Sequence, residues 1–187
     1  MNTAIKPQFT NNDEFFKMQE LSDVTLEYFN GQIYAQAQPS SSHQLVQGNL
    51  GGILYMYFKE KQCKVYPAGL LVTLHDENSI YNLVPDLSVI CEQSKMTDKS
   101  YDGAPALVIE ILSPSNQSHD FIRKLDVYMR CGVKEYWIVN PWNKTAQIFN
   151  FNCGEIVGDI VYRADEILIS KVFENLTINL KDIFGSK

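Results

Sequence analysis

The sequence predicts an α/β fold in which a mixed β-sheet is flanked by helices. Three observations carry this prediction: the chain has 187 residues, short β-type runs occupy most of it, and two amphipathic stretches of helical spacing interrupt those runs. A chain of this length forms one sizeable core, because domains of about 100–200 residues bury roughly 70% of their unfolded surface. Strands and helices in this order, without internal repeats, are typical of helices packed on a mixed sheet.

The predicted domain organisation is a short arm followed by one domain. Residues 1–22 contain a single apolar patch, and we expect an N-terminal arm that either frays or docks as a small helix. Residues 23–187 are predicted to form the single domain. It opens with a β-hairpin, because two β-type runs, 24–29 and 32–36, flank Asn30-Gly31, whose residues both tolerate positive φ.

The remaining elements follow from hydrophobic spacing. Apolar residues between 46 and 58 recur at helical intervals behind a serine N-cap, and a second helix is predicted at 120–131, ended by Gly132. The β-type runs predict strands at 63–66, 69–74, 83–91, 106–112, 135–140, 145–151, 156–162, 167–169 and 176–180. A polar segment, 92–105, links the third of these strands to the fourth.

The composition is that of an ordinary globular protein. Hydrophobic residues make up 45% of the chain and aromatic residues 12%, which excludes a disordered or low-complexity chain. Lysine and arginine number 16 against 22 acidic residues, so the net charge is −6. Long-range attraction to nucleic acid or to an anionic membrane is therefore weak, and a polyanionic partner must meet a local positive site or a metal ion.

The cysteines and the hydropathy predict a cytoplasmic protein that does not enter a membrane. The four cysteines are widely spaced and form no C-x-x-C pair, so we expect neither a zinc site nor a disulfide framework but reduced, mostly buried thiols. The first 20 residues are mainly polar and do not predict a signal peptide. No apolar run approaches the roughly 20 residues that a membrane-spanning helix needs.

Two carboxylates are the most informative polar residues. Asp86 begins one apolar run and Glu110 lies near the end of another. Antiparallel pairing of these strands would bring the two side chains together, and an acid within an apolar strand is costly unless it is paired, hydrogen-bonded or bound to a cation. From spacing alone, an equally open interpretation is that each carboxylate faces solvent at a strand end.

A lysine follows on the second predicted helix. Asp120, Lys124 and Tyr128 are spaced four residues apart, so they form one stripe on that helix. Because this helix follows the strand that carries Glu110, it can bring the Lys124 ammonium group back toward that carboxylate. The alternative is an ordinary surface pair between Asp120 and Lys124, with Tyr128 as a packing residue.

These motifs together resemble a known family. The motifs are Val84-Pro-Asp86, Val108-Ile-Glu110-Ile-Leu-Ser-Pro-Ser115, Asp120-x-x-x-Lys124-x-x-x-Tyr128 and Gly132-Val-Lys-Glu-Tyr-Trp-Ile-Val-Asn-Pro141. In this order and spacing they resemble the Uma-two family of restriction-endonuclease-like proteins, within the PD-(D/E)xK nuclease superfamily. The resemblance extends upstream to Glu27 and His43 and downstream to 176–184, so it covers nearly all of the chain after residue 20.

The resemblance implies a restriction-endonuclease-like fold and a Mg²⁺-dependent endonuclease that acts on DNA as a homodimer. It implies that Asp86 and Glu110 ligate Mg²⁺, with Mn²⁺ as a substitute, and that Lys124 stabilises the attacking water or the phosphate. The chain departs from the superfamily at Leu112, where a lysine is usual. Either Lys124 fills that role from the helix, or the site binds metal without efficient cleavage.

Several residues are candidates for supporting roles. The resemblance implies that Glu27 extends or positions the metal shell. His43 is expected to contact phosphate, to order Glu27 or simply to be structural. Tyr128 could orient Lys124 or a water molecule through its hydroxyl, and Asp120 is a further candidate supporting residue. The cations Lys59, Lys61, Lys64, Arg123, Arg130 and Lys134 are candidate phosphate contacts, each with a solvated surface position as the alternative.

Two other functions stay open at this point. One is a non-catalytic binding or assembly module that keeps the nuclease fold, which Leu112 and the negative net charge favour. The other is a two-carboxylate hydrolase, such as a glycosidase that uses Asp86 and Glu110 as acid and base. Such a glycosidase would work without a metal and would have aromatic platforms for sugars in an open cleft.

Overall fold

The computed structural model describes residues 10–113 and 118–185, with the backbone alone for residues 118–120. Within these ranges the helices are α1 (Asn12–Leu21), α2 (Ser41–Phe58), α3 (Ser118–Arg130) and α4 (Leu180–Phe184). The strands are β1 (Leu26–Phe29), β2 (Gln32–Ala35), β3 (Lys64–Pro67), β4 (Leu71–His75), β5 (Ile80–Leu83), β6 (Leu87–Ile90), β7 (Ser100–Asp102), β8 (Leu107–Ile111), β9 (Glu135–Asn140), β10 (Thr145–Asn152), β11 (Glu155–Arg163), β12 (Ile167–Ile169) and β13 (Thr177–Asn179).

The strands divide between two main sheets and a small ribbon. One sheet has the order β2-β1-β5-β4-β7, the second has the order β11-β10-β9-β8-β6-β3, and β12 pairs with β13. Both main sheets are mixed, because β4 runs parallel to β7 and β8 runs parallel to β9, whereas the other neighbours are antiparallel. The predicted α/β class with mixed sheets and flanking helices is confirmed.

The six-stranded sheet is the central layer of the fold. On one face, Leu50 and Leu54 of α2 pack with α4 against inward residues such as Ile109. On the other face, α3 and the five-stranded sheet pack together, with Val127 and Leu83 in the same buried cluster. Both faces of the strands that carry the candidate site are therefore covered, which explains why those strands read as continuous apolar runs.

Local sequence signals predicted the hairpin and the two longer helices correctly. Asn30 and Gly31 form the turn between β1 and β2 with φ of 42° and 99°. Helix α2 begins after Ser40, whose hydroxyl accepts a hydrogen bond from His43 N–H. Gly132, with φ of 90°, follows α3 as predicted.

None of the helices in the described parts of the chain combines the length and the apolar character that a membrane-spanning helix needs.

Two predictions about strands were wrong. The run 83–91 is two strands rather than one, because β5 ends at Leu83 in one sheet and β6 begins at Leu87 in the other. Pro85 lies in the break, where its missing N–H costs no ladder hydrogen bond. The polar segment 92–105 is not merely a linker, since it contains a short 3-10 helix, Gln93–Lys95, and strand β7.

The prediction of reduced, mostly buried cysteines was also wrong. Cys63 and Cys91 form a disulfide across a sequence separation of 28 residues. They flank the antiparallel pair β3–β6, in which Lys64 lies opposite Ile90, so the two cysteines face each other one residue beyond that pair. Cys131 is only half-buried and Cys153 is exposed. Nothing in the spacing of the cysteines revealed that β3 and β6 are neighbours.

The disulfide makes a direct prediction about thiol content and stability. Titration of the denatured, unreduced protein with a thiol reagent should detect only Cys131 and Cys153. Replacing both Cys63 and Cys91 with alanine should lower the free energy of unfolding by about 2–4 kcal/mol, because the bridge restricts the unfolded chain. Denaturant titration measures the loss, with Cys131→Ala as the control. Four reactive thiols in the unreduced protein would contradict the pairing.

Candidate functional site

The pairing of β6 with β8 brings Asp86 and Glu110 to the same edge of the central sheet. Leu87 lies opposite Ile109 in this antiparallel pair, so Asp86, one residue earlier, and Glu110, one residue later, are neighbours across the strands. The predicted antiparallel adjacency is confirmed. Asp86 Oδ2 also accepts a hydrogen bond of 2.7 Å from Ile111 N–H, which ties the carboxylate to the end of β8.

His43 and Gln47, one turn apart on α2, hold Asp86 from the other side. His43 Nε2 lies 3.0 Å from Asp86 Oδ2, and Gln47 Nε2 donates to the main-chain oxygen of Asp86 at 2.8 Å. His43 is 5% exposed and the Asp86 side chain is 18% exposed, so this contact is only partly shielded from water. The side chain of His43 thus contacts Asp86 and not Glu27, so the alternative in which His43 orders Glu27 is wrong.

Lys124 reaches Glu110 from α3. Its Nζ lies 2.9 Å from Glu110 Oε1 and 2.9 Å from Glu27 Oε1. One turn later, the Tyr128 hydroxyl donates to the same Glu110 oxygen at 2.8 Å. Lys124 and Tyr128 are 3% and 0% exposed, so this stripe of α3 faces inward and the surface-pair interpretation of Lys124 is wrong. The Asp120 side chain lies outside the described residues.

Glu27 is the second carboxylate that holds Lys124. It lies on β1, in the middle of the predicted hairpin, and is completely buried. Besides Lys124, its Oε1 accepts hydrogen bonds from Val84 N–H at 3.1 Å and from Gln36 Nε2 at 3.0 Å. Glu27 of the hairpin therefore holds the ammonium group of Lys124 in place. The same carboxylate also holds the main chain at Val84, where the segment between β5 and β6 begins.

The surroundings of Glu110 favour its protonated form. Burial is the largest influence and raises the pKa of the Glu110 carboxyl, Lys124 lowers it, and the negative charges of Asp86 and Glu27 raise it; the net result is a pKa of about 8. Burial and the Glu110 charge also raise the pKa of the Tyr128 hydroxyl well above its ordinary value. Tyr128 therefore stays a hydrogen-bond donor to Glu110 at any physiological pH.

A cavity of about 380 Å³ opens over these residues, and Asp86, Glu110, Lys124 and His43 all line it. Asp86 Oδ1 and Glu110 Oε2 accept no hydrogen bond from the described part of the chain. Two hard carboxylate oxygens with spare lone pairs fit a cation such as Mg²⁺, which uses one or two carboxylates and completes its shell with water and phosphate. Within residues 10–113 and 118–185, no group of three His, Cys, Asp or Glu residues could hold a metal by itself.

Leu112 does not reach this cavity. It lines a separate apolar pocket of about 350 Å³, together with Phe121, Leu125 and Phe149. A lysine at position 112 would thus enter an apolar pocket. Among the described residues that line the Asp86–Glu110 cavity, Lys124 is the only lysine or arginine.

The other candidate cations lie away from this cavity. None of Lys59, Lys61, Lys64, Arg123, Arg130 and Lys134 is among the described residues that line it. The Arg123 guanidinium stacks over the rings of Phe29 and Tyr34 at 5.2 and 4.7 Å. Arg130 pairs with Asp76 and Asp126. The two arginines are therefore committed to packing and to surface ion pairs.

Sequence reasoning missed Gln36 and Gln47. Gln36 follows the last residue of β2 and binds both Glu27 and Val84 O, the latter at 2.8 Å. Gln47 stands four residues after His43, so helical spacing placed both on one face of α2, and this was the signal that could have found it. The contact of Gln36 with Val84, 48 residues away, had no such local signal.

The fold and this arrangement define a protein of the restriction-endonuclease-like class. The structure superposes with a TM-score of 0.75 on the crystal structure of a protein from Anabaena variabilis described as "a putative nuclease belonging to DUF820", covering 92% of this chain and 96% of that one at 22% identity. A family model described as "Putative restriction endonuclease" matches residues 12–181. The chain belongs to this family, Uma2.

Two curated relatives come from a cyanobacterium, Synechocystis. The uncharacterized protein slr1290 is 25% identical over 141 residues, which cover 75% of this chain and 73% of the relative. The uncharacterized protein sll1609 is 25% identical over 132 residues, which cover 69% of this chain and 73% of the relative. Both alignments span most of each protein.

The buried contacts of Lys124 predict a large stability loss on its removal. Lys124→Met should lower the free energy of unfolding by about 3–5 kcal/mol, because it leaves the buried Glu27 carboxylate without its cation. Adding Glu27→Gln to this variant should recover part of the loss. Denaturant titration measures both, with the exposed Lys134→Met as the matched control. A loss no larger than that of the control would show that Lys124 is not held between the two carboxylates.

Proposed function

We propose that this protein is a metal-dependent endonuclease that hydrolyses phosphodiester bonds of DNA. The observation that carries the proposal is a pair of carboxylate oxygens, Asp86 Oδ1 and Glu110 Oε2, in one cavity with the buried ammonium of Lys124. Neither oxygen accepts a hydrogen bond from the described residues. Membership of a family described as restriction endonucleases and the fold of a nuclease-like protein support it. The Mg²⁺ requirement, the ligands and the DNA substrate are parts of this proposal.

In this proposal Asp86 and Glu110 hold Mg²⁺, and Mn²⁺ substitutes for it. When bound, the ion would lower the pKa of a water molecule and neutralise negative charge that builds up on the phosphate. Asp86 is oriented for this task by the hydrogen bonds of Ile111 N–H and His43 to its Oδ2, which leave Oδ1 for the ion. Glu110 is oriented by Lys124 and Tyr128, which both bind its Oε1.

Lys124 is the proposed electrostatic partner of the phosphate or of the attacking water. A fixed ammonium group stabilises charge that develops in the transition state without rearranging, which is worth more in a shielded site than in water. In the hydrolysis, the water oxygen forms a bond to phosphorus and the bond to the leaving oxygen breaks. One proton of the water passes to the leaving oxygen and the other is released to solvent or stays on the new phosphate group.

The two alternative functions, a glycosidase and a non-catalytic module, differ in what they would require of the cavity. A glycosidase would need aromatic sugar platforms, and no aromatic residue is among the described residues that line the cavity. A non-catalytic module would keep the same contacts and bind the ion without turnover, so an activity assay separates it from a nuclease. A homodimer and a cytoplasmic location stay predictions from the sequence.

The first test is cleavage of DNA. Purified protein should cut supercoiled or linear DNA in Mg²⁺ and in Mn²⁺ but not in EDTA. Glu110→Gln should lower the rate at least about 10²-fold, because it removes a charged ligand without changing the size of the side chain. Glu155→Gln, at an exposed glutamate of β11, is the matched control. Cleavage by pure Glu110→Gln protein at the normal rate would show that the site is elsewhere.

The raised pKa of Glu110 predicts proton release on metal binding. With a pKa of about 8, Glu110 is mostly protonated at neutral pH, so a metal ion that uses this carboxylate as a ligand would have to displace the proton. The affinity for Mn²⁺ should therefore rise with pH and level off above about 8. Calorimetric titrations in two buffers of different ionisation enthalpy measure the released proton. Glu110→Gln serves as the comparison, and pH-independent binding without proton release by the normal protein would contradict the proposal.

A further inference from the structure

The groups proposed to act on phosphate are deeply recessed. Glu110 is 4% exposed and Lys124 is 3% exposed, and the Asp86 side chain is 18% exposed. The cavity above them, at about 380 Å³, is on the scale of pockets that enclose one small molecule, which are about 300–1,000 Å³. An intact DNA duplex is broad and stiff and does not enter a cavity of this size. One of its phosphates therefore reaches these groups only if the strand that carries it separates from the duplex.

The charge around the cavity does not match a duplex backbone. Duplex DNA carries one negative charge per about 1.7 Å, and proteins that hold it neutralise several phosphates with lysine and arginine. Among the described lining residues, Lys124 is the only such cation, and two carboxylates already contact it. Asp23, an exposed carboxylate that also lines the cavity, adds repulsion.

The same cavity carries groups that suit a nucleobase. Val24 is 46% exposed, and it lines the cavity together with Pro39, which is also exposed. Apolar groups such as these offer van der Waals contact to the flat face of a base, whatever the identity of the base. Gln38 is exposed beside them, and its amide makes no hydrogen bond within the described part of the chain. An amide offers a donor pair and an acceptor to the edge of a base.

From these observations we infer that the substrate is DNA whose strand is unpaired at the point of cleavage. This inference rests on the proposed nuclease function. An unpaired nucleotide enters the cavity with its phosphate beside Asp86, Glu110 and Lys124, while the base meets Val24, Pro39 and Gln38. A paired nucleotide must first be unstacked and unpaired, which costs a few kcal/mol. The cavity therefore discriminates against intact duplex.

The experiment compares four substrates with the purified full chain in Mn²⁺. They are a labelled single-stranded oligonucleotide, its perfect duplex, the same duplex with a central unpaired bubble, and the p-nitrophenyl ester of thymidine 5′-monophosphate. We expect kcat/KM on the single strand at least 10-fold above that on the duplex, and cuts in the third substrate that map to the bubble. The small ester is expected to be hydrolysed.

The outcomes separate this inference from the proposed function. Equal or faster cleavage of the perfect duplex, or hydrolysis of the small ester with no cleavage of either DNA strand, would overturn the unpaired-strand inference and leave the hydrolytic centre intact. Failure to cut any of the four substrates, in protein shown to be folded by circular dichroism, would overturn the proposed nuclease function, and the inference would fall with it.

A variant pair tests the contact with the base. Gln38→Ala should raise KM for the single strand several-fold with little change in kcat, because Gln38 is proposed to bind the nucleotide and not the reacting phosphate. Gln44→Ala is the control, since Gln44 is an exposed glutamine on α2 that is absent from the described residues lining the cavity. Equal KM values for the two variants would show that the base does not bind at Gln38.

Discussion

The buried ammonium group of Lys124 is the interaction on which the rest of the site depends. Lys124 lies on α3 and contacts both Glu27 of the five-stranded sheet and Glu110 of the six-stranded central sheet. Taking such charges out of water costs several kcal/mol per ion, which attraction offsets only when the hydrogen bonds are complete. Here Val84 N–H, Gln36 and the Tyr128 hydroxyl supply further hydrogen bonds to the carboxylates. The two sheets and α3 therefore share one fixed geometry.

The two cavity carboxylates are held by different means, and this gives them different chemistry. Asp86 is oriented by a histidine and a main-chain N–H and remains partly exposed. Glu110 is oriented by a lysine and a tyrosine and is almost fully buried, which is why its pKa rises to about 8. In each case one oxygen takes both of these hydrogen bonds, and the other accepts none from the residues that the structure describes. A metal ion held by both carboxylates would therefore have to displace a proton from Glu110.

The sequence predicted those parts of the molecule that depend on local signals or on strand ends. The Asn30-Gly31 turn follows from backbone sterics, and the adjacency of Asp86 and Glu110 follows from their positions at opposite ends of two apolar runs. The resemblance singled out Glu27, but spacing could not predict its contact with Lys124, because that contact crosses 97 residues and requires the packing of two sheets. The pairing of β3 with β6, and with it the disulfide, was hidden for the same reason.

The bridge between Cys63 and Cys91 has a practical consequence for anyone who produces this protein. Cys91 follows the last residue of β6, whereas Asp86 precedes the first residue of that strand. The disulfide therefore fixes β6 at the end that lies away from the site. Such a bond forms where the surroundings oxidise thiols and is lost to a strongly reducing cell interior or buffer. Hosts of different redox character therefore yield either the disulfide-bonded or the reduced protein. The mass of the intact protein distinguishes the two forms and should be measured before batches are compared.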